Sequence, residues 1–111
     1  MIFSAQGLAV KGVAEYLFRP KAKTDVEDIW SYTLETWGID QADQYVKNLI
    51  DTCSSLAKNP DMGVARDELR NGLHVHPSGK HLIFYLKIKN DIDIVRILHE
   101  RMDCNLHLLL G

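Results

Sequence analysis

Residues 73–99, LHVHPSGKHLIFYLKIKNDIDIVRILH, carry the pattern that decides the fold. Apolar side chains recur there with period two, the spacing that places alternate residues on one face of a pleated strand. Leu73 and Val75 mark a short strand, Pro77, Ser78 and Gly79 a turn, and residues 81–88 (HLIFYLKI) a returning strand. Asn90 and Asp91 mark a second turn, after which residues 92–99 (IDIVRILH) complete an antiparallel meander. In the last two strands both alternating sets contain apolar members, so both faces are expected to be covered for part of their length.

Upstream the period lengthens to that of a helix. Thr24 and Glu27 have capping-box spacing, in which each side chain satisfies the other's backbone N–H, and Val26, Ile29, Trp30, Thr33 and Trp37 follow at helical intervals. Gly38 supplies a stop. Asp40 is placed to cap a second helix whose stripe is Ala42, Tyr45, Val46, Leu49, Cys53, Leu56 and Ala57, ending at Asn59 and Pro60. So short a connection makes residues 24–59 an antiparallel helical hairpin with one apolar side. Residues 14–19 (AEYLFR) suit a first strand with Tyr16 and Phe18 on one face. The expected class is α+β, a helical hairpin packed on an antiparallel β-sheet in the order β-α-α-β-β-β. Leu106, Leu109 and Leu110 could add a short C-terminal helix. Residues 1–13 read as an arm, either a loosely ordered lead-in or the product of an upstream start codon, and residues 14–111 as one domain.

A length of 111 residues, 46% apolar and 25% charged, fits a single globular domain with a modest core. Thirteen Lys and Arg against 15 Asp and Glu leave a formal charge of −2, which exerts no global pull toward nucleic acid or anionic membrane. Residues 62–111 hold seven bases, six acids and all five histidines, against six bases and nine acids in residues 1–61, so the second half is the candidate partner-facing half. Cys53 and Cys104 lack CxxC or Cys/His spacing and suit a reducing cytosol. Gln6, Gly7 and Lys11 interrupt the first apolar run, no stretch approaches a membrane span, and a cytoplasmic location is expected.

Burying an ionisable group costs several kcal/mol unless it is paired, which draws attention to Arg96 inside VRIL. It is either structural, snorkelling or paired with Glu68 or another acid inside the sheet, or presented to a partner; strict alternation puts it on a face with Ile94 and Leu98. His74, His76, His81 and His99 lie on strands, yet no HExxH, no i,i+4 His pair and no nearby carboxylate pattern supports convergence on an ion, so neither metal nor cofactor is expected. Cleaving RNA without a metal needs a base, an acid and a cation, roles that Tyr85, His81, His99, Arg70 and Arg96 could fill in name. Tyr85 on an apolar strand reads first as core. Cys53 falls on the buried stripe and Cys104 has no adjacent histidine, so neither reads as a nucleophile. Arg66, Asp67, Glu68 and Arg70 form a loop whose charges either pair locally or offer arginine forks to an acidic segment.

The blocks ELRNGL, GKHLIFY and VRILHERMD, with DIWSYTLETWGIDQADQYVKNL before them, resemble the ParE branch of the RelE/ParE toxins of bacterial toxin–antitoxin modules. The resemblance runs from about Tyr16 to Leu108. It implies a non-enzymatic toxin that inhibits DNA gyrase by binding it, neutralised by a ParD-like antitoxin whose C-terminal segment wraps round it. The RelE branch instead cleaves mRNA in the ribosome; a ribosome-docking nuclease calls for a strongly basic surface, which this composition lacks. Carried over residue by residue, the resemblance implies a partner-facing set of Arg70, Arg96, His99 and Arg101. Val64 and His74 stand where relatives often carry arginine, which points to an attenuated toxin that only binds antitoxin as a further alternative.

Overall fold

The computed structural model describes residues 15–102. Its elements are β1 (Tyr16–Phe18), α1 (Pro20–Trp37), α2 (Ile39–Lys58), a 3-10 turn (Pro60–Met62), β2 (Val64–Ala65), β3 (Leu73–Ser78), β4 (His81–Ile88) and β5 (Asp91–His99). The arm at residues 1–13 and the C-terminal turn expected at Leu106, Leu109 and Leu110 lie outside the described residues.

The meander is present, with Ser78 opposite His81 and Ile88 opposite Asp91. Two short strands widen it into a five-stranded sheet of order β1-β5-β4-β3-β2. β1 joins β5 in parallel, so the sheet is mixed at that edge. β2, two residues long, pairs antiparallel with β3 and is too brief for any periodicity to reveal. β3 also runs through Pro77 to Ser78, positions the sequence pattern assigned to the turn; among the described strands only β4 pairs with Pro77, opposite Leu82.

Helix α1 begins one turn earlier than the capping-box pattern indicates. Pro20 takes the first helical position, where its missing N–H costs nothing and its fixed φ suits the helix. Thr24 is therefore an interior residue, donating its hydroxyl to the Pro20 carbonyl at 3.2 Å. Gly38, at φ 95°, ends α1 and caps α2, leaving a single residue between the helices. Asp40 accordingly sits inside the first turn of α2, where its charge meets the positive end of the helix, rather than at the cap.

Two apolar clusters flank the sheet. On one face Ala22, Val26 and Ile29 of α1 and Val46, Leu49, Cys53, Leu56 and Ala57 of α2 pack on Ile83, Tyr85, Ile92, Ile94 and Ile97. On the other, Leu73, Val75, Phe84, Val95 and Leu98 form a second cluster. Strict alternation cannot place Ile94 and Ile97 on the same face. A β-bulge does so: Tyr85 pairs with Ile94 and Phe84 with Arg96, leaving Val95 as the inserted residue. Trp37, assigned to the buried stripe, is 71% exposed. Trp37 stands at the last helical position before the Gly38 corner and belongs to neither apolar cluster.

Because β1 stops at Phe18 and Pro20 starts a helix, the outer edge of β5 beyond Ile94 has no strand beside it among the described residues. Arg19 N–H bonds the Ile94 carbonyl at 3.0 Å, and then Asp25 of α1 takes over. Its Oδ2 accepts the Ile97 N–H at 2.9 Å and Arg96 Nε at 2.7 Å, while Oδ1 accepts Arg96 Nη2 at 2.9 Å. Both side chains are 13% exposed. Arg96 is therefore the paired arginine of the two sequence readings, with Asp25 rather than Glu68 as its acid. Replacing Asp25 by Ala strands a largely desolvated guanidinium and a strand N–H. The expected cost is about 2–4 kcal/mol of unfolding free energy in urea denaturation. A double-mutant cycle with Arg96→Ala is expected to return a coupling above about 1 kcal/mol.

Candidate functional site

The face of the sheet away from the helices is apolar at its centre, with the Arg19–Asp93 ion pair between that centre and β1. Around the second cluster Leu69, Leu82 and Leu86 are partly buried. Register carries Val64 onto this face opposite Val75, alternation along β4 adds Ile88, and Leu17 of β1 lies opposite Asp93; these three are 65%, 41% and 44% exposed. Exposed branched side chains on β1, β4 and β2 rim a face whose centre is apolar, a composition suited to protein association. Nothing in the period-two pattern distinguished these rim residues from core.

A second group of side chains gathers where Ser78, His81 and His99 end their strands. The Tyr45 hydroxyl accepts the Lys80 N–H at 2.9 Å and lies 2.6 Å from His81 Nδ1, with the Ser78 carbonyl at 3.4 Å. The hydroxyl has one proton to give, to His81 Nδ1 or to the Ser78 carbonyl, so its hydrogen bonding is tied to the His81 tautomer. His99 stands edge-on to His81, ring centroids 5.3 Å apart, and its Nδ1 accepts the Arg101 N–H at 3.1 Å. Burial, and then the neighbouring His99, hold the His81 imidazole below its usual pKa, against the opposing pull of Asp25 and Glu100. Gly79 completes the contact: at φ 59° a Cβ there would lie 2.6 Å from the Tyr45 hydroxyl.

Tyr85 is fully buried, and its hydroxyl donates to the Pro60 carbonyl at 2.6 Å while accepting the Gly63 N–H at 3.0 Å. A Cβ at Gly63 would fall 2.3 Å from that oxygen, so glycine is required by close approach. Desolvation raises the phenol pKa further. Tyr85 therefore ties the α2–β2 connection to the sheet and is closed to a substrate. It also lies near the end of β4 remote from His81, so the nuclease roles named from the sequence do not converge. Burial likewise pushes the Cys53 thiol up to about 12, leaving no nucleophile there. Among the described residues no group of three His, Cys, Asp or Glu could hold a metal ion.

The four residues of the expected partner-facing set do not form one patch. His99 and exposed Arg101 share the Tyr45–His81 end, whereas half-buried Arg70 precedes β3 at the opposite end, separated by the length of that strand, about 17 Å at 3.3 Å per residue. Arg96 is held by Asp25. In the loop before β3, Arg66 pairs with Glu68, and Asp67 accepts the Gly72 N–H at 2.8 Å, the local pairing that its charge sequence allowed.

A helical hairpin on one face of a mixed five-stranded sheet defines the RelE/ParE-like α+β class. Among solved structures the chain is similar to one from the chromosomal ParDE system of P. aeruginosa, with a TM-score of 0.68 at 17% identity, covering 78% of this chain and 96% of that one. It is also similar to a chain of the heterotetrameric YoeB–YefM toxin–antitoxin complex of Staphylococcus aureus, with a TM-score of 0.53 at 17% identity over 78% and 95%. The sequence model of the ParE toxin of the type II toxin–antitoxin system, parDE, matches residues 16–104. Toxin ParE1 of Mycobacterium tuberculosis (strain H37Rv) is 41% identical over 96 residues, 86% of this chain and 98% of that protein. Toxin ParE1 of Caulobacter vibrioides is 37% identical over 93 residues, 84% and 96% of the respective chains. The chain belongs to the ParE family, the toxins of type II toxin–antitoxin systems.

The lowered His81 pKa sets a direction for pH dependence. The unfolded chain binds a proton more readily than the folded one, so this contribution to stability is complete above about pH 6.5 and is lost as pH falls toward and through the folded value. The urea midpoint is expected to decline on acidification below about pH 6.5, and His81→Gln to flatten that decline.

Proposed function

We propose that this ParE-family toxin is neutralised by a ParD-like antitoxin in the cytoplasm and, when free, inhibits DNA gyrase by binding it without turnover. The observation that supports this most directly is family membership over residues 16–104, with identities near 40% to two proteins called Toxin ParE1. The arrangement of side chains agrees with a binding mode of action. The tyrosine best placed in sequence for nuclease chemistry has both hydrogen-bonding directions of its hydroxyl occupied, and the cysteine thiol is buried.

For the antitoxin, the apolar rim formed by Leu17, Val64 and Ile88 suits the apolar side of an amphipathic segment, and the outer edges of β1 and β2 suit strand addition. Arg70, His99 and Arg101 offer positive or protonatable groups to acidic residues of that segment. Arg96 enters this proposal through its structural pairing with Asp25. The alternative reading, a ribosome-dependent mRNA endonuclease, draws its support from the His81–His99 pair with Arg101 beside it.

Induction of the chain alone in bacteria is expected to reduce viability with a DNA-damage response, to be rescued by the co-expressed antitoxin, and the purified toxin to inhibit gyrase supercoiling. New mRNA ends at ribosomal A sites with intact DNA would select the endonuclease instead. Harmless expression with retained antitoxin binding would identify an attenuated toxin. Charge reversal at Arg70 and Arg101 together is expected to weaken antitoxin binding by about tenfold or more, with a reduced salt dependence.

A further inference from the structure

The helical hairpin carries an exposed apolar tip. Trp37 and Ile39, on either side of Gly38, are 71% and 52% exposed, and Tyr32 on α1 is 69% exposed. A Cβ added at Gly38 would meet nothing within 4 Å, so the corner itself is open. Tyr45, which contacts the β3–β4 turn, lies six residues into α2 from Ile39. At 1.5 Å per residue that is about 9 Å along the helix. Large aromatic side chains are costly to leave in water and are enriched among residues that dominate protein–protein affinity.

The hairpin's own charge around this tip has one sign, while Lys80 and Arg101 lie at the sheet end that Tyr45 contacts. Between Lys23 and Lys47 the chain has six acidic residues and no Lys or Arg. Two of the six are engaged within the fold, Asp25 with Arg96 and Asp43 with the Trp30 indole N–H at 3.0 Å. Glu35 and Asp40 flank Trp37 and Ile39 and are exposed. An apolar knob in a negative field disfavours phosphate backbones. It favours guanidinium and ammonium groups, which both the carboxylates and the face of an indole attract.

We infer that the hairpin tip, centred on Trp37 and Ile39, is a docking element for an Arg/Lys-rich protein surface, separate from the sheet face proposed for the antitoxin. This inference rests on the reading that the toxin acts by binding, and it assigns the element that meets the target.

A photo-crosslinking amino acid at position 36 of the full chain, induced in bacteria, tests the inference, with position 47 on the exposed side of α2 as control. The expected result is crosslinking, stronger than from position 47, to peptides of another protein with a net excess of Arg and Lys. It should be lost in Glu35→Lys with Asp40→Lys and in Trp37→Ser with Ile39→Ser, and kept in Trp37→Phe. Circular dichroism and antitoxin binding are expected to be unchanged in all of these variants. No crosslink above the control, crosslinking to nucleic acid or to a second copy of this chain, or crosslinking indifferent to charge reversal overturns the inference. The two readings separate in the supercoiling assay. If gyrase is not inhibited yet the charge-dependent crosslink is found, the tip stands and the choice of target falls. If gyrase is inhibited equally by wild type and Trp37→Ser with Ile39→Ser, the tip falls alone.

Discussion

The Asp25 carboxylate fixes the helical layer to the sheet at the place where the sheet would otherwise be left open. Among the described residues β5 is bonded to a strand on one side along its length but on the other only as far as Ile94, where β1 gives way to Pro20 and the helix. One carboxylate then serves both the strand N–H of Ile97 and the guanidinium of Arg96. A charge-assisted, two-pronged contact of this kind is directional as well as attractive, so it sets the position of α1 along β5. The apolar layer between helices and sheet, which is not directional, can then pack in one arrangement.

The same economy governs two tyrosine contacts, one half-buried and one fully buried. Tyr45 and Tyr85 each extend from an apolar layer to a polar end that binds a connecting segment, the β3–β4 turn in one case and the stretch from Pro60 to Gly63 in the other. Each approach is so close that the backbone opposite is glycine. Residues whose chemistry could serve catalysis are thus engaged in holding loops to the core, since buried hydroxyls must find partners. What remains at the surface is apolar rim, scattered cation and acidic helix, the materials of recognition. The charge is also segregated. Residues 20–58, the two helices, carry seven acids and four bases, a net −3, so the helical layer and the sheet present different fields to an approaching macromolecule.

Much of this was legible from the one-dimensional pattern, because each element reads its own period. The meander, the helix stop at Gly38 and the stripe of α2 from Ala42 to Ala57 follow from spacing alone. Trp37 shows where such reading stops. Its position on the helical stripe is correct in angle, but burial also requires something to be buried against, and the length of the sheet beneath a helix is not written in the helix. The site was less legible. Arg96 stood out as a charge among apolar residues, yet its acid lies 71 residues away in the chain. The only local feature near Asp25 was a capping pattern that Pro20 pre-empted.

Periodicity and glycine placement by themselves determined an α+β domain and the order of its elements apart from the two-residue β2, since these depend on residues within a few positions of one another. Only the tertiary structure decided that β1 pairs in parallel, that a bulge at Val95 reunites Ile94 and Ile97 on one face, and which of the suspected residues meet. Arg70 and His99 were separated, His81 and Tyr45 joined, and Arg96 turned inward. The reason is physical: hydrogen-bond register and ion pairing between distant strands and helices depend on distances in space, and a single inserted residue reverses the face of every side chain beyond it.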